Sequence, residues 1–153
     1  MKSMPTKKIK DLTGITCVIQ IALELCTLES IDVIVLGGLS RKVYFYSYGY
    51  FASGVLENLR AEILFLGADA IHLPDRITNS TIDEIIVKPS RIKSSNQLIL
   101  IADSTRDHLS APCCVCAWEE VDWIITNDEA DPCYLEFFQR QSFKVTLTST
   151  KIC

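Results

Sequence analysis

The chain has 153 residues, of which 48% are hydrophobic and 22% charged, and its net charge is -4. This length and this apolar fraction predict one globular domain with a sizeable core and exclude an intrinsically disordered chain. The acidic balance excludes broad nucleic-acid binding, which requires a dense basic patch. No stretch approaches the ~20 apolar residues that span a bilayer, and the N-terminus lacks the apolar core of a signal peptide. We therefore expect a cytoplasmic protein without membrane contact.

The cysteine content is high, with seven cysteines in the chain. Without a secretion signal they are expected to be free thiols. The run Cys113-Cys114-x-Cys116 is one half of a metal-binding pattern, but structural zinc sites add a second pair or histidines at ligand spacing. His72 and His108 do not have that spacing. We therefore interpret the run as a partly buried strand, and we expect no metal and no cofactor.

The first part of the chain is predicted to alternate strands and helices. Residues 8–12 form a weak first strand, and apolar residues at helical spacing predict a helix over 15–28. Because this helix is apolar on most sides, we expect the sheet or another subunit to cover it. A strand follows over 32–36, then a loop or edge strand over 39–48, then a helix over 52–59.

Two uninterrupted apolar runs, 63–66 and 98–102, mark strands over 62–66 and 97–102. Such runs suit a parallel sheet that is covered on both faces. Between them we predict a loop over 67–79. A helix then begins at Ser80 or Thr81, with a capping box, and ends or kinks near Val87 because Pro89 deletes a helical hydrogen bond.

The last part of the chain is predicted to hold three strands and one helix. The strands cover 113–117, 121–126 and 143–147, and the last of them alternates as an edge strand should. Asp131 as N-cap and Pro132 at the first helical position begin the helix, with Tyr134, Phe137 and Phe138 turned inward. This order predicts a three-layer α/β fold. The predicted domain covers 9–148, between tails at 1–8 and 149–153.

Glycines and polar residues at the carboxyl ends of the strands are the candidate ligand-binding residues. Gly37 and Gly38 either present backbone N–H groups to an anion or form a tight turn. Gly67 allows close approach of a ligand, and Asp69 either accepts hydrogen bonds from sugar hydroxyls or is a solvated turn residue. Both interpretations stay open.

Two further segments carry groups that suit a polyol phosphate. Asp103-Ser104-Thr105 offers a carboxylate and two hydroxyls, although such residues also bond their own backbone in turns. Lys88 is either the partner of Glu84 in a surface pair worth ~0.3–0.5 kcal/mol or a point charge for a phosphate. We find no Ser-His-Asp or Cys-His set in a supporting context, and we predict no catalysis.

Taken in order, these motifs resemble the C-terminal sensor domain of DeoR-type repressors of sugar metabolism. The order and spacing match over roughly residues 10–147. The motifs are V-I-V-L-G-G (33–38), L-F-L-G-A-D-A-I (64–71), Thr78, E-x-x-x-K (84–88), L-I-L-I-A-D-S-T (98–105) and V-D-W-I-I-T-N (121–127).

The resemblance implies a Rossmann-like fold, shared with ribose-5-phosphate isomerase, glucosamine-6-phosphate deaminase and CoA transferases. It also implies a domain that binds a phosphorylated sugar or related metabolite, forms oligomers, and signals to an N-terminal winged helix-turn-helix. We expect this chain to lack the winged helix-turn-helix, and with it any direct DNA contact. We also expect it to lack the family's first strand and its D-x-G-T-T phosphate loop.

The sequence departs from the family pattern at four places. Thr13-Gly14-Ile15 stands where the family has T-N-S or T-N-N, and Arg76 replaces the glycine before the threonine. The family's D-S-S-K is Asp103-Ser104-Thr105-Arg106 here, which keeps a positive charge. Pro89 replaces a residue compatible with a helix.

The resemblance and the strand ends together predict one ligand-binding site, in which glycine N–H groups and Lys88 or Arg106 hold a phosphate and two aspartates hold hydroxyls. The predicted residues are Gly37, Gly38, Gly67, Asp69, Thr78, Lys88, Asp103, Ser104 and Arg106. The leading hypothesis is a sensor domain that binds a sugar phosphate and forms homo-oligomers.

Two alternatives to the sensor hypothesis stay open. The first is a sugar-phosphate isomerase or deaminase with Asp69, Asp103 or Glu84 as general base. The second is a ligand-blind module that forms mixed oligomers with full-length regulators.

Overall fold

The computed structural model describes residues 11–41, 45–74, 76–81 and 90–149. The chain divides into two compact units, residues 1–55 and residues 56–153. Strands and helices alternate along both units, which confirms the predicted α/β class. Within the described ranges, no helix has the length and apolar character that crossing a membrane requires.

The first unit begins with a βαβ arrangement. β1 (Leu12–Thr16) and β2 (Ile31–Val35) pair in parallel, and α1 (Ile19–Leu25) connects them. The predicted bounds of the first strand and helix are therefore wrong: the strand extends to Thr16, and the helix has only seven residues. The β-branched pair Ile15-Thr16 extends the strand, and the Thr16 hydroxyl then accepts a hydrogen bond from the backbone N–H of Val18 at 3.0 Å.

The described residues cover little of the first helix, so the expectation that the sheet or another subunit covers it stays a prediction for another subunit. Ala22 is its one buried residue, and the side chains of Ile21 and Leu23 are 47% and 66% exposed. The rest of this unit consists of an antiparallel pair, β3 (Leu39–Arg41) and β4 (Tyr46–Tyr48), followed by α2 (Tyr50–Leu56). The predicted loop or edge strand over 39–48 thus contains two short strands, and residues 42–44 between them lie outside the described residues.

The second unit is organised around a four-stranded parallel sheet with the order β11-β10-β8-β5. Its strands are β5 (Ala61–Gly67), β8 (Ser95–Ile101), β10 (Trp123–Asn127) and β11 (Lys144–Thr148). The bounds of the four predicted strands are confirmed to within two residues, and the last strand lies at an edge as predicted. Leu98, Ile99 and Leu100 are buried, so β8 is covered on both faces, whereas Phe65 on the edge strand β5 is 62% exposed.

A smaller antiparallel sheet contains β6 (Ala70–His72), β7 (Arg76–Asn79) and β9 (Cys113–Cys116). The predicted loop over 67–79 is therefore wrong, because most of it forms the β6–β7 hairpin. Ile71 and Ile77 stabilise the hairpin by burying their side chains in the main core. The predicted cysteine strand is confirmed, and the six cysteines of the described ranges are free thiols.

The last helix, α3 (Pro132–Arg140), packs on the core of the second unit through aromatic side chains. Asp131 is its N-cap and accepts a hydrogen bond from the backbone N–H of Cys133, as the sequence predicts. Tyr134 and Phe138 are both 1% exposed, and Trp118 packs against Phe138. The helix predicted from Ser80 to Val87 lies mostly outside the described residues, and residues 90–93 are helical.

Candidate functional site

Three polar residues lie in one row at the carboxyl edge of the parallel sheet. In the strand register Gly67 is opposite Ile101, and Ile101 is opposite Ile125. Two positions after each of these three residues comes a polar one: Asp69 after Gly67, Asp103 after Ile101 and Asn127 after Ile125. Because neighbouring strands lie about 4.8 Å apart, the register brings three hydrogen-bonding side chains to the same edge. We refer to Asp69, Asp103 and Asn127 as the polar row.

The turn after β8 carries three of the predicted ligand-binding residues. Asp103 caps a short 3-10 helix, Ser104–Arg106, and its carboxylate accepts hydrogen bonds from the N–H and the hydroxyl of Thr105. These hydrogen bonds, with a smaller contribution from the Arg106 guanidinium, lower the pKa of Asp103. The carboxylate is therefore ionised at neutral pH, and the exposed Arg106 places a positive charge in the same turn.

Asn127 joins this turn to the next strand. Its side-chain oxygen accepts a hydrogen bond from the backbone N–H of Ser104 at 2.7 Å, and its amide donates to the Ser104 hydroxyl at 3.1 Å. Asn127 is only 5% exposed, whereas Ser104 is half-buried, so both bonds are partly shielded from water. The sequence-based list of site residues missed Asn127, although its position after an apolar strand, in V-D-W-I-I-T-N, was the available signal.

Asp69 joins the end of β5 to the end of β7. Its carboxylate accepts a hydrogen bond from the backbone N–H of Ser80 at 2.9 Å, and its own N–H donates to the side chain of Asn79 at 3.1 Å. Asn79 is 2% exposed and was also missed by the sequence analysis. Asp69 is thus a turn residue in this structure, and its carboxylate still has hydrogen-bonding capacity, since a carboxylate accepts about four hydrogen bonds.

Thr78 is not part of the polar row. It lies in β7, the middle strand of the smaller antiparallel sheet. Its hydroxyl donates to the carbonyl of Ala70 and accepts from the backbone N–H of Ala111 at 3.1 Å. The residue borders a cavity of about 540 Å³ lined by His72, Arg76, Thr78, Ser110, Ala111, Pro112 and Cys114. Of the predicted site residues that the structure describes, Thr78 alone lines this cavity, where Arg76 adds a cation.

The three predicted glycines differ in their surroundings. Gly38 has φ +151°, and a Cβ atom there would lie 2.3 Å from the carbonyl oxygen of Tyr48, so the turn requires glycine. Nothing lies within 4 Å of a Cβ built at Gly37 or at Gly67. Gly37 and Gly38 belong to the first unit, and the described remainder of the predicted site belongs to the second. Lys88 lies outside the described residues.

A second group of titratable side chains follows the turn directly. The Nε2 atom of His108 lies 3.1 Å from a carboxylate oxygen of Asp131. Hydrogen bonds from the thiol and the backbone of Cys133, together with the one from His108, lower the pKa of Asp131 to about 2. The same Asp131–Cys133 contact raises the pKa of the Cys133 thiol, and burial raises the pKa of Asp107.

Comparison with known proteins identifies the family of the chain. Residues 1–128 match the family described as the DeoR C terminal sensor domain. The chain is 26% identical, over 89% of its length, to the HTH-type transcriptional regulator GolR of Listeria innocua. It is also 29% identical, over 84% of its length, to a putative sgc region transcriptional regulator of Escherichia coli K12.

A third relative is a putative aga operon transcriptional repressor of Escherichia coli O157:H7, 25% identical over 92% of the chain. These three matches cover 54%, 50% and 52% of the relatives, so the chain spans about half the length of the curated relatives it matches. The family match covers most of the chain and agrees with the resemblance found from the motifs. The chain belongs to the family of DeoR C-terminal sensor domains.

Proposed function

We propose that this sensor domain binds a phosphorylated sugar at the polar row. The observation that supports the proposal is the turn at 103–106, which carries an ionised carboxylate, a hydroxyl and a guanidinium and is joined to Asn127 by two hydrogen bonds. A turn fixed in this way presents its side chains to a ligand at little further entropic cost. Sugar phosphates offer both the anion and the hydroxyls that these groups recognise.

The two aspartates of the polar row and Arg106, in the same turn as Asp103, have distinct roles in this proposal. Arg106 binds the phosphate, since a guanidinium makes paired hydrogen bonds with phosphate oxygens. Asp69 and Asp103 accept hydrogen bonds from sugar hydroxyls with the capacity that their backbone contacts leave. The sequence predicts further phosphate ligands, which stay predictions: Lys88, Gly37, Gly38 and Gly67. The cavity lined by Thr78 and Arg76 is a candidate for a further ligand contact.

The proposed setting is a cytoplasmic transcriptional regulator in which this domain senses a metabolite and assembles with copies of itself. The relatives are described as transcriptional regulators, and such proteins work where the DNA is. We further propose a three-layer Rossmann-like arrangement for the sensor domain, with DNA contacts left to other parts of the regulator. Exposed apolar side chains on α1, Leu23 above all, suit the proposed self-association.

We propose no catalysis for this domain. A general base needs a pKa near the working pH, whereas hydrogen bonds from Thr105 lower the pKa of Asp103. The carboxylate of Asp69 is a hydrogen-bond acceptor for the backbone of Ser80. A turnover assay with ribose 5-phosphate and glucosamine 6-phosphate checks this point, and formation of product would establish the enzyme alternative.

The proposed ligand class is tested by thermal unfolding of the protein with a panel of phosphorylated sugars and their unphosphorylated parents. A ligand at 100 times its dissociation constant adds about 2.7 kcal/mol to the free energy of unfolding. We expect at least one phosphorylated sugar to raise the melting temperature and its parent sugar to have no effect.

A panel without any shift would contradict binding and favour the interaction module, since α1 exposes apolar side chains. Light scattering and co-purification with a full-length regulator would then test that alternative. A monomer without a partner would exclude it as well.

A further inference from the structure

His108, Asp131 and Cys133 form a compact group at the N-terminus of α3, which we call the His-Asp-Cys cluster. Each residue offers one ligand atom, and these three atoms all lie within 4.8 Å of one another. The cluster follows the 103–106 turn along the chain but shares no residue with the polar row. His108 and Cys133 are exposed and Asp131 is half-buried, so an ion from solvent reaches all three.

The donor set and its spacing suit a tetrahedral metal ion. Imidazole nitrogen, thiolate sulfur and carboxylate oxygen are the three ligand types of protein zinc sites, with metal–ligand distances of about 2.0–2.3 Å. Two such ligands on a tetrahedral ion lie roughly 3.3–3.8 Å apart. The distance of 3.1 Å between His108 Nε2 and Asp131 Oδ2 is already close to this range. The remaining pairs of ligand atoms lie within 4.8 Å of each other, at most about 1 Å beyond this range.

Tyr134 holds the first ligand, His108, in place. The backbone N–H of His108 donates to the hydroxyl of the buried Tyr134 at 2.6 Å, and the two rings meet edge to face with centroids 4.9 Å apart. The Tyr134 hydroxyl in turn donates to the carbonyl of Ile71 at 2.9 Å. Such contacts around a metal ligand fix its orientation before the ion arrives.

Asp131 is fixed by its role as helix cap. One carboxylate oxygen accepts the hydrogen bond from the backbone N–H of Cys133, and the other faces His108. The cap therefore uses the oxygen that the ion does not need. The Cys133 thiol donates a hydrogen bond to the Asp131 carboxylate. Binding of an ion would replace this hydrogen bond by a metal–sulfur bond.

We propose that His108, Asp131 and Cys133 bind a divalent transition-metal ion of the zinc type, with a fourth position left to solvent. Binding forms metal–nitrogen, metal–oxygen and metal–sulfur bonds, replaces water on the ion, and releases the thiol proton of Cys133 to the buffer. The bound ion joins the segment after the 103–106 turn to the start of α3. This proposal is independent of the sugar-phosphate proposal.

The test is a titration of the metal-free, reduced, tag-free protein with Co²⁺, which reports thiolate ligation through charge-transfer absorption and tetrahedral geometry through its visible bands. We expect one equivalent to bind and Zn²⁺ to displace it. Cys133→Ser should remove the charge-transfer band, and His108→Gln should weaken binding by about 10-fold or more. Both side chains are exposed, so circular dichroism should show an unchanged fold.

Two matched controls are Cys26→Ser and Cys114→Ser, which remove the other exposed thiols of the described chain. Both variants should bind Co²⁺ like the unmodified protein. Absence of stoichiometric binding, or a spectrum that Cys133→Ser leaves unchanged, would overturn the proposal. Loss of the band in Cys114→Ser would move the site to the cysteine strand and overturn it equally.

Discussion

The side chains of the polar row stabilise the turns from which they would also contact a ligand. Asp69 and Asp103 accept hydrogen bonds from backbone N–H groups, and Asn127 accepts one from Ser104. From the sequence alone, a turn role and a ligand role are alternatives for such residues, because asparagine and aspartate bond local backbone readily. The structure shows that the turn role is present, and the ligand role belongs to the proposal.

At this scale the sequence does not show which hydrogen-bond partner each polar side chain has. Local patterns place Asp103 and Ser104 at a strand end, but Asn127 is 23 positions beyond Ser104 in the chain. Its contact depends on the register between β8 and β10, which single-sequence patterns do not determine. Asn79 was missed for the same reason, since its partner Asp69 follows a different strand.

Replacing Asn127 by alanine tests how firmly the turn is fixed. The variant leaves the backbone N–H of Ser104 without its acceptor, and such a loss costs about 1–3 kcal/mol in a buried setting. Ser104→Ala is the matched control, because it removes only the hydroxyl contact and should cost about 0.5–1.5 kcal/mol. Urea denaturation measures both free energies of unfolding. Equal losses in the two variants would contradict the leading role given to Asn127.

At the scale of elements, strands in the parallel sheet were the most predictable feature. Their uninterrupted apolar runs, bounded by polar residues, are the pattern of buried strands. The helix α3 was equally clear, because Asp131 and Pro132 are strong local start signals. The β6–β7 hairpin was missed, since its strands have three and four residues and too few positions to show a period.

The boundary between β1 and α1 shows where periodicity misleads. Thr16, Gln20, Glu24 and Thr27 have helical spacing, but the structure places Thr16 in a strand opposite Val35. A parallel partner strand far along the chain decides the conformation of Ile15 and Thr16, and β-branched residues suit that pairing. The local pattern therefore predicted the helix correctly but began it four residues early.

Substitutions of Gly37 and Gly38 test whether the turn after β2 requires glycine. Gly38→Ala should lower the free energy of unfolding by about 1–3 kcal/mol, because the new methyl group meets the carbonyl of Tyr48 and the backbone φ is unfavourable for alanine. Gly37→Ala has open space and should stay within about 0.5 kcal/mol of the unmodified protein. Both are measured without ligand. A harmless Gly38→Ala would mean that the turn does not need glycine, and would favour a ligand role.

At the scale of the whole molecule, the chain is a DeoR-type sensor domain that spans about half of its curated relatives. The motif series found this family from the sequence because most of its motifs mark strand ends, where ligands of α/β sheets bind. The predicted site residues are divided between the two units of the chain. Of those that the structure describes, most belong to the second unit. The identity of the metabolite depends on side-chain geometry around the ligand, which motifs do not encode.

The central claim is that the polar row and Arg106, in the same turn as Asp103, bind a phosphorylated sugar. It is tested most directly by calorimetric titration. The titrant is the sugar phosphate that raises the melting temperature most, and the proteins are the unmodified chain, Arg106→Gln and Arg140→Gln. Arg140 is an exposed arginine on α3 paired with Glu136, so its variant controls for the loss of one positive charge. Hydrogen bonds to a charged group are worth about 1.5–3 kcal/mol, so we expect affinity to fall by roughly 10-fold or more in Arg106→Gln and to be unchanged in Arg140→Gln. Equal affinity in all three proteins, or no binding of any phosphorylated sugar, would contradict the account.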